Sequence, residues 1–398
     1  MVKKLKIFYF FIFSFSLTLS FLLLFIVFEK KNLNPSLKNQ KLEEINEKEI
    51  DKELKEKIGQ MIVIGFRGTK VSENSPIVRA IKELNLGGVI LFDYDIPSKS
   101  FPRNILTPEQ TKKLISDLQK FSSIPLFIAV DAEGGKINRL KENYGFLKIP
   151  SHEELGKIND LNFTKQEISK LSKQLKDLGF NVNFAPVLDL NTNLQNPIIG
   201  KLGRSFSSDP EIVFSQAKVF IKAHVENGVI PIVKHFPGHG SSFSDSHLEM
   251  VDVTNSWEEE ELIPYKKLKN ENLLFGVMVG HVFNKKIDKD YPATLSPKFL
   301  QEILRKEIGF NGVIISDDLQ MGAIKKHYSL EEAIIKAINA GCDVLLFSNN
   351  IEEYDENLPY KVFDIIFQAV KEGKISKERI FEAFERVINL KKEFGIIK

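Results

Sequence analysis

One cysteine, Cys342, is all the chain has. That excludes an intrachain disulfide framework and any metal site built from several thiolates, and its apolar surroundings read as those of a buried thiol. A surplus of either charge is missing too: 55 basic against 53 acidic residues leave a formal +2 over 398 residues. With no nucleic-acid motif present, neither nucleic acid nor another polyanion is expected as a partner. No internal repeat is visible. Histidine is scarce at seven, yet His235, His239 and His247 fall within one stretch of thirteen residues.

Long apolar runs are confined to the amino end. Lys3, Lys4 and Lys6 precede residues 7–28, 22 positions without a charge. At about 1.5 Å rise per residue, a helix of that length crosses a ~30 Å hydrocarbon core. The leading lysines stay in the cytoplasm, so the rest of the chain is expected on the far side of the membrane. The run passes into Glu29-Lys-Lys31 without a small-residue cleavage site, which favours an uncleaved anchor over a signal peptide. No cysteine follows it, so a lipoprotein is excluded. Residues 29–50, rich in Lys, Asn and Glu, read as a solvated tether.

From residue 51 to 398 short apolar runs alternate with amphipathic segments. Eight runs read as strands: 61–66, 88–92, 125–131, 182–189, 229–236, 274–281, 312–317 and 343–348. Between them, segments such as 107–121, 165–178, 210–227, 297–306 and 330–340 carry apolar residues at helical spacing. Eight such units predict one catalytic domain of the α/β class, a (β/α)8 barrel, with an open doubly wound sheet as the competing fold.

A barrel of this kind assembles its site at the carboxyl ends of its strands. The expected ends are polar in six of eight cases: Asp131, Asp189, Lys234 with His235, His281, Asp317 with Asp318, and Ser348. Ionised groups crowded there must be paired or solvated, and convergence on one pocket accounts for them together. The fifth run continues into Lys234-His-Phe-Pro-Gly-His-Gly-Ser-Ser-Phe-Ser-Asp-Ser-His247, where Pro237, Gly238 and Gly240 stop any helix. A solvated polar loop is the plain alternative.

The segment Lys234-His-Phe-Pro-Gly-His-Gly240, together with Ser316-Asp-Asp-Leu-Gln-Met321 and Asp131-Ala-Glu-Gly-Gly135, resembles glycoside hydrolase family 3. The triplet Asp245-Ser-His247 resembles that of its single-domain β-N-acetylglucosaminidases. The resemblance runs from about residue 52 to the end and implies a retaining hydrolase of terminal β-linked N-acetylglucosamine, on muropeptides or chito-oligosaccharides, without cofactor or metal. It implies Asp317 as nucleophile, His247 as acid/base with Asp245 as its partner, and Asp131, Arg139, Arg204, Lys234 and His235 as sugar-binding residues. Ala132 and Lys136 depart from the family's usual Gln and Arg, and lysine cannot reproduce a bidentate guanidinium fork.

The chemistry is consistent. Cleavage with retention needs one carboxylate to attack and one donor to protonate the leaving oxygen. Only about fifty residues follow the last strand, so the donor is expected from the barrel's own loops, and an imidazole held by a carboxylate suits it. Residues 238–244, with two glycines and three serines, are expected to let the dyad move over the pocket. Glu133 and Asp318 read as structural, and His281 as floor. Other readings stay open: a metallohydrolase on His235, His239 and Asp245, a phosphorylase or β-glucosidase of the same fold, and a non-catalytic wall-binding protein. Oligomeric state is left open.

Overall fold

The computed structural model describes residues 51–397. The expected membrane segment, 7–28, and the tether lie outside the described residues. Eight strands form one all-parallel sheet: β1 (Ile62–Gly65), β2 (Gly88–Ile90), β3 (Phe127–Val130), β4 (Val182–Asn183), β5 (Ile230–Phe236), β6 (Gly276–Val279), β7 (Val313–Ser316) and β8 (Leu345–Phe347). β1 pairs with both β2 and β8. The remaining seam is joined by a parallel bridge from Ile315 to Val344 and by Ser316 N donating to Val344 O, so the sheet closes into a (β/α)8 barrel.

Closure follows from two-sided burial. Along each strand one residue set points inward (Val63, Ile90, Ala129, Ile232, Met278, Ile315, Leu346) and the alternate set faces the helices (Ile62, Val89, Ile128, Val233, Val277, Ile314, Leu345). Both faces need cover, which is why the runs read as continuously apolar rather than alternating. Helices supply the outer cover and are capped by local sequence. Thr107 accepts from Gln110 N before Pro108–Lys120, and Ser329 with Glu332 forms a capping box before Leu330–Ala340.

Two expectations are corrected. Residues 182–189 hold only a two-residue strand, because Pro186 has no N–H to give a ladder and the chain beyond Asn183 meets β5 through one bridge, Val187 to Lys234. Asp189 therefore lies past the strand. The segment expected as an ordinary helix at 297–306 is wound at Lys298–Glu307 in the wider π form.

The amino-terminal end of the barrel is stoppered by the last helix, Lys377–Glu393, whose Val387 and Leu390 join the interior cluster with Phe394 and Ile396 packed against it. Lys391 enters with them, fully buried. Its ammonium donates to Gln60 Oε1 at 2.8 Å and Gly87 O at 3.0 Å and lies 4.7 Å from the Phe127 ring.

Candidate active site

At the opposite end the strand tips surround a cavity of about 250 Å³. Its floor is apolar, with Phe184, Met278 and Leu346, and its wall holds Asp131, Arg139, Arg204, Lys234, His235, His247 and Asp317. Of the residues expected as catalytic or sugar-binding, Asp245 alone stands back from the cavity, behind His247.

The fifth strand delivers two neighbours to one face. Its register against β6 slips between Val233 and Phe236, and the irregularity lets consecutive Lys234 and His235 both reach the cavity, where strict alternation would separate them. Lys234, 2% exposed, bonds Asp131 Oδ1 at 2.8 Å and Glu133 Oε1 at 2.7 Å. Arg204 grips the same Glu133 with both arms, at 2.8 and 2.7 Å, and donates to Ile198 O at 3.1 Å. Arg204 Nη2 also meets His235 Nε2 at 3.3 Å. Because a guanidinium only donates, that ring nitrogen accepts, and the proton sits on Nδ1, 2.7 Å from Asp189 Oδ2.

Glu133 and Asp189 are thus the carboxylates on which the cations and the imidazole rest. Neither role is written in a spacing, since the partners of Glu133 lie 71 and about a hundred residues away. For Asp189 burial opposes ionisation, but His235 and His239 outweigh it and hold the carboxyl below its usual range. Arg139 is held more loosely, 3.8 Å from Asp93 and 4.0 Å from Asp131, beyond hydrogen-bond length.

Asp317 follows β7 directly, its N–H donating to Val279 O at 3.0 Å. Burial works against its ionisation, yet the fields of His281 and His235 and the N–H of Asp318 bring its carboxyl down to about 2. Asp318, by contrast, is pushed by burial to about 6, and its Oδ1 caps the Gln320 and Ser348 N–H groups. His281 does not line the cavity. It is buried, its Nδ1 lies 2.8 Å from Thr294 Oγ1, a hydroxyl also within reach of the carbonyls of Val279 and Gly280, and its Nε2 donates to Asp318 O at 2.9 Å, so it braces the turn that carries Asp317 from below.

The dyad is built within one turn. Asp245 Oδ1 accepts from His247 N at 2.8 Å and meets its Nδ1 at 2.7 Å, leaving Nε2 outward on a side chain 58% exposed. Burial would lower the imidazole, but the Asp245 bond and charge, then the field of Asp317, raise it above the ordinary value. The stretch expected to be mobile differs in its first half. Residues 238–242 are buried, with His239 N donating to Asp189, Asn196 holding the carbonyls of His239 and Gly240, and Gly240 so near Leu190 O that a Cβ would stand 1.6 Å from it. The glycine serves close approach there, and exposure begins at Phe243.

The donors of the metal reading are engaged one by one. His235 bonds Asp189, His239 meets Ser242 and Ser246, and Asp245 meets His247. Lys136 lies outside the cavity. The hairpin of Ala132–Gly134 and Ile137–Asn138 separates two spaces: Ile137 and Arg139 face the catalytic one, while Lys136, Asn138 and Lys141 face a second of about 940 Å³ that shares Leu202.

Barrel and cavity fit a glycoside hydrolase, and the likeness to known proteins shows that class. The model of the glycosyl hydrolase family 3 N-terminal domain matches residues 53–390. A β-hexosaminidase of Nitrosomonas eutropha is 33% identical over 80% of this chain and 88% of its own, and one of Tolumonas auensis is 39% identical over 68% and 78%. Among solved structures, a family 3 β-N-acetylglucosaminidase from a Paenibacillus species superposes with a TM-score of 0.78 at 33% identity, over 86% of this chain. The chain spans 63% of that protein's length. The chain belongs to glycosyl hydrolase family 3.

Proposed function

We propose that this glycoside hydrolase is a retaining exo-β-N-acetylglucosaminidase acting on peptidoglycan-derived glycans. Asp317 attacks the anomeric carbon while His247, protonated, gives its proton to the departing oxygen. The sugar is then an ester of Asp317. Neutral His247 takes a proton from water, and the resulting attack releases the sugar and restores the carboxylate. Asp245 fixes the ring and balances the imidazolium. Asp131, Arg139, Arg204, Lys234 and His235 grip the sugar. One observation carries the reading: a low-lying carboxylate and a carboxylate-backed imidazole line the same cavity. A cavity of about 250 Å³, below the ~300–1,000 Å³ of common ligand pockets, suits one terminal sugar. The β-hexosaminidase names of the relatives agree with it.

The test compares chromogenic β-glycosides of N-acetylglucosamine, glucose and xylose, with selective cleavage of the first expected. His247→Ala should slow natural glycosides about 10²–10⁴-fold and aryl glycosides with good leaving groups far less, whereas Asp317→Asn should disable both. Equal losses on both substrates in His247→Ala would refute the division of roles, and strict dependence on phosphate with a sugar phosphate as product would make the enzyme a phosphorylase. The remaining assignment is placement: export, with residues 7–28 retaining the barrel at the outer face of the cytoplasmic membrane.

A further inference from the structure

The turn that carries the dyad is held to the nucleophile's own loop by two backbone bonds. Gly322 N donates to His247 O and Ala323 N to Ser246 O, each at 3.1 Å. Both N–H groups belong to the first turn of the short helix Gly322–Lys325, which begins five residues after Asp317. First-turn N–H groups have no acceptor within their helix, and here the acid-bearing turn supplies them. Inside that turn, Leu248 N and Glu249 N donate to Asp245 O, and Asp245 Oδ1 takes His247 N and Nδ1. Those bonds fix the dyad's shape but not its position over the cavity. Position comes from the two cross-loop bonds and from Ser246 Oγ, 3.2 Å from His239 Nε2.

Gly322 permits this approach. A Cβ there would stand 2.6 Å from Leu248 O and 2.7 Å from His247 O, both backbone atoms of the dyad turn. Its φ is outside the left-handed region, so alanine is acceptable to its own backbone, and the conflict is with the opposing turn alone.

We infer that Gly322 is a positioning residue: it lets the strand-seven loop clamp the acid/base turn so that proton donor and nucleophile are set by one shared backbone contact. The inference rests on the proposed role of His247. Since Gly322 touches neither substrate nor reacting atoms, alanine there should displace the donor while leaving Asp317 and the sugar-binding residues in place.

The experiment is Gly322→Ala in the full chain, beside His247→Ala and the double variant, assayed on N-acetylglucosaminides with poor and with good leaving groups. Gly322→Ala is expected to lose about 10²-fold in kcat/KM on the poor leaving group, the scale of an ångström misplacement, and only a few-fold on the good one. In the His247→Ala background it should cost nothing further. Its alkaline limb should also move to lower pH, because a displaced imidazole leaves the field of Asp317. Equal loss on both substrates, no loss on either, or additivity with His247→Ala would overturn the inference. If His247→Ala itself lacks leaving-group dependence, the acid/base reading fails first. A His247→Ala that shows it beside a Gly322→Ala that does not defeats the clamp alone.

Discussion

Glu133 accepts both arms of Arg204 and the ammonium of Lys234 while 1% exposed. Burial alone would push its carboxyl up, but the two cations hold it well below the carboxylate range. Its stabilising contribution is therefore complete above the unfolded value and is lost as pH falls through the folded one. Glu133→Gln should lower unfolding stability by about 3–5 kcal/mol, the usual result of stranding a buried partner, as read by urea melts at neutral pH. At His247 the sign is the reverse. Asp245 raises the imidazole above its ordinary 6.5, so the protonated donor persists below that raised value and kcat/KM falls as pH climbs through it. Asp245→Asn removes the largest raising influence, and the alkaline limb should move acidward. An unmoved limb would mean that His247 does not govern it. Strand ends and a specific motif mark Asp317, His247 and Lys234 in the sequence, and all three line one cavity. Glu133 reads as structural, and what it holds, two cations brought from elsewhere in the chain, is not marked by any spacing.

The last helix presents a different balance. Among the described residues Lys391 has no carboxylate beside it and meets two carbonyl oxygens and a ring face, and burial lowers its ammonium to about 7. Below that value both folded and unfolded chains carry the proton, so the penalty is fully present. Between there and the ordinary 10.5 only the unfolded chain holds it, and folded stability rises with pH. Melting temperatures of the wild type and Lys391→Met should therefore converge from pH 7 to 10, with the variant the more stable at pH 7. A constant difference would show that the two carbonyls keep Lys391 charged throughout. Elements themselves were largely legible. All eight barrel strands occur where short, mainly apolar runs were read, since burial on two faces leaves little room for polar alternation. The failures are local: Pro186 cuts β4 short, and the slip after Val233 that brings Lys234 and His235 to one side leaves no trace in composition.

For the molecule as a whole, the two ends of the barrel divide the labour. The amino-terminal end is filled by the last helix and the carboxyl end is open to ligand, the arrangement general to this fold. Among the described residues no helix is long and apolar enough to cross a membrane, and the span proposed at residues 7–28 lies outside them. The full chain expressed in a bacterium should sediment with membranes and be digested by protease added to spheroplasts. A chain beginning after residue 28 should stay in the soluble cytoplasm, and protection of the full chain in spheroplasts would reverse the assigned topology. The hairpin between the two cavities has a consequence for tailoring the enzyme. Its inner side chains, Ile137 and Arg139, line the cavity proposed for the terminal sugar, and its outer ones, Lys136 and Asn138, look onto the neighbouring hollow. Lys136, exposed and with its ammonium bonded to the carbonyl of Lys201, is therefore the position at which the outer hollow can be altered while Ile137 and Arg139 keep their places.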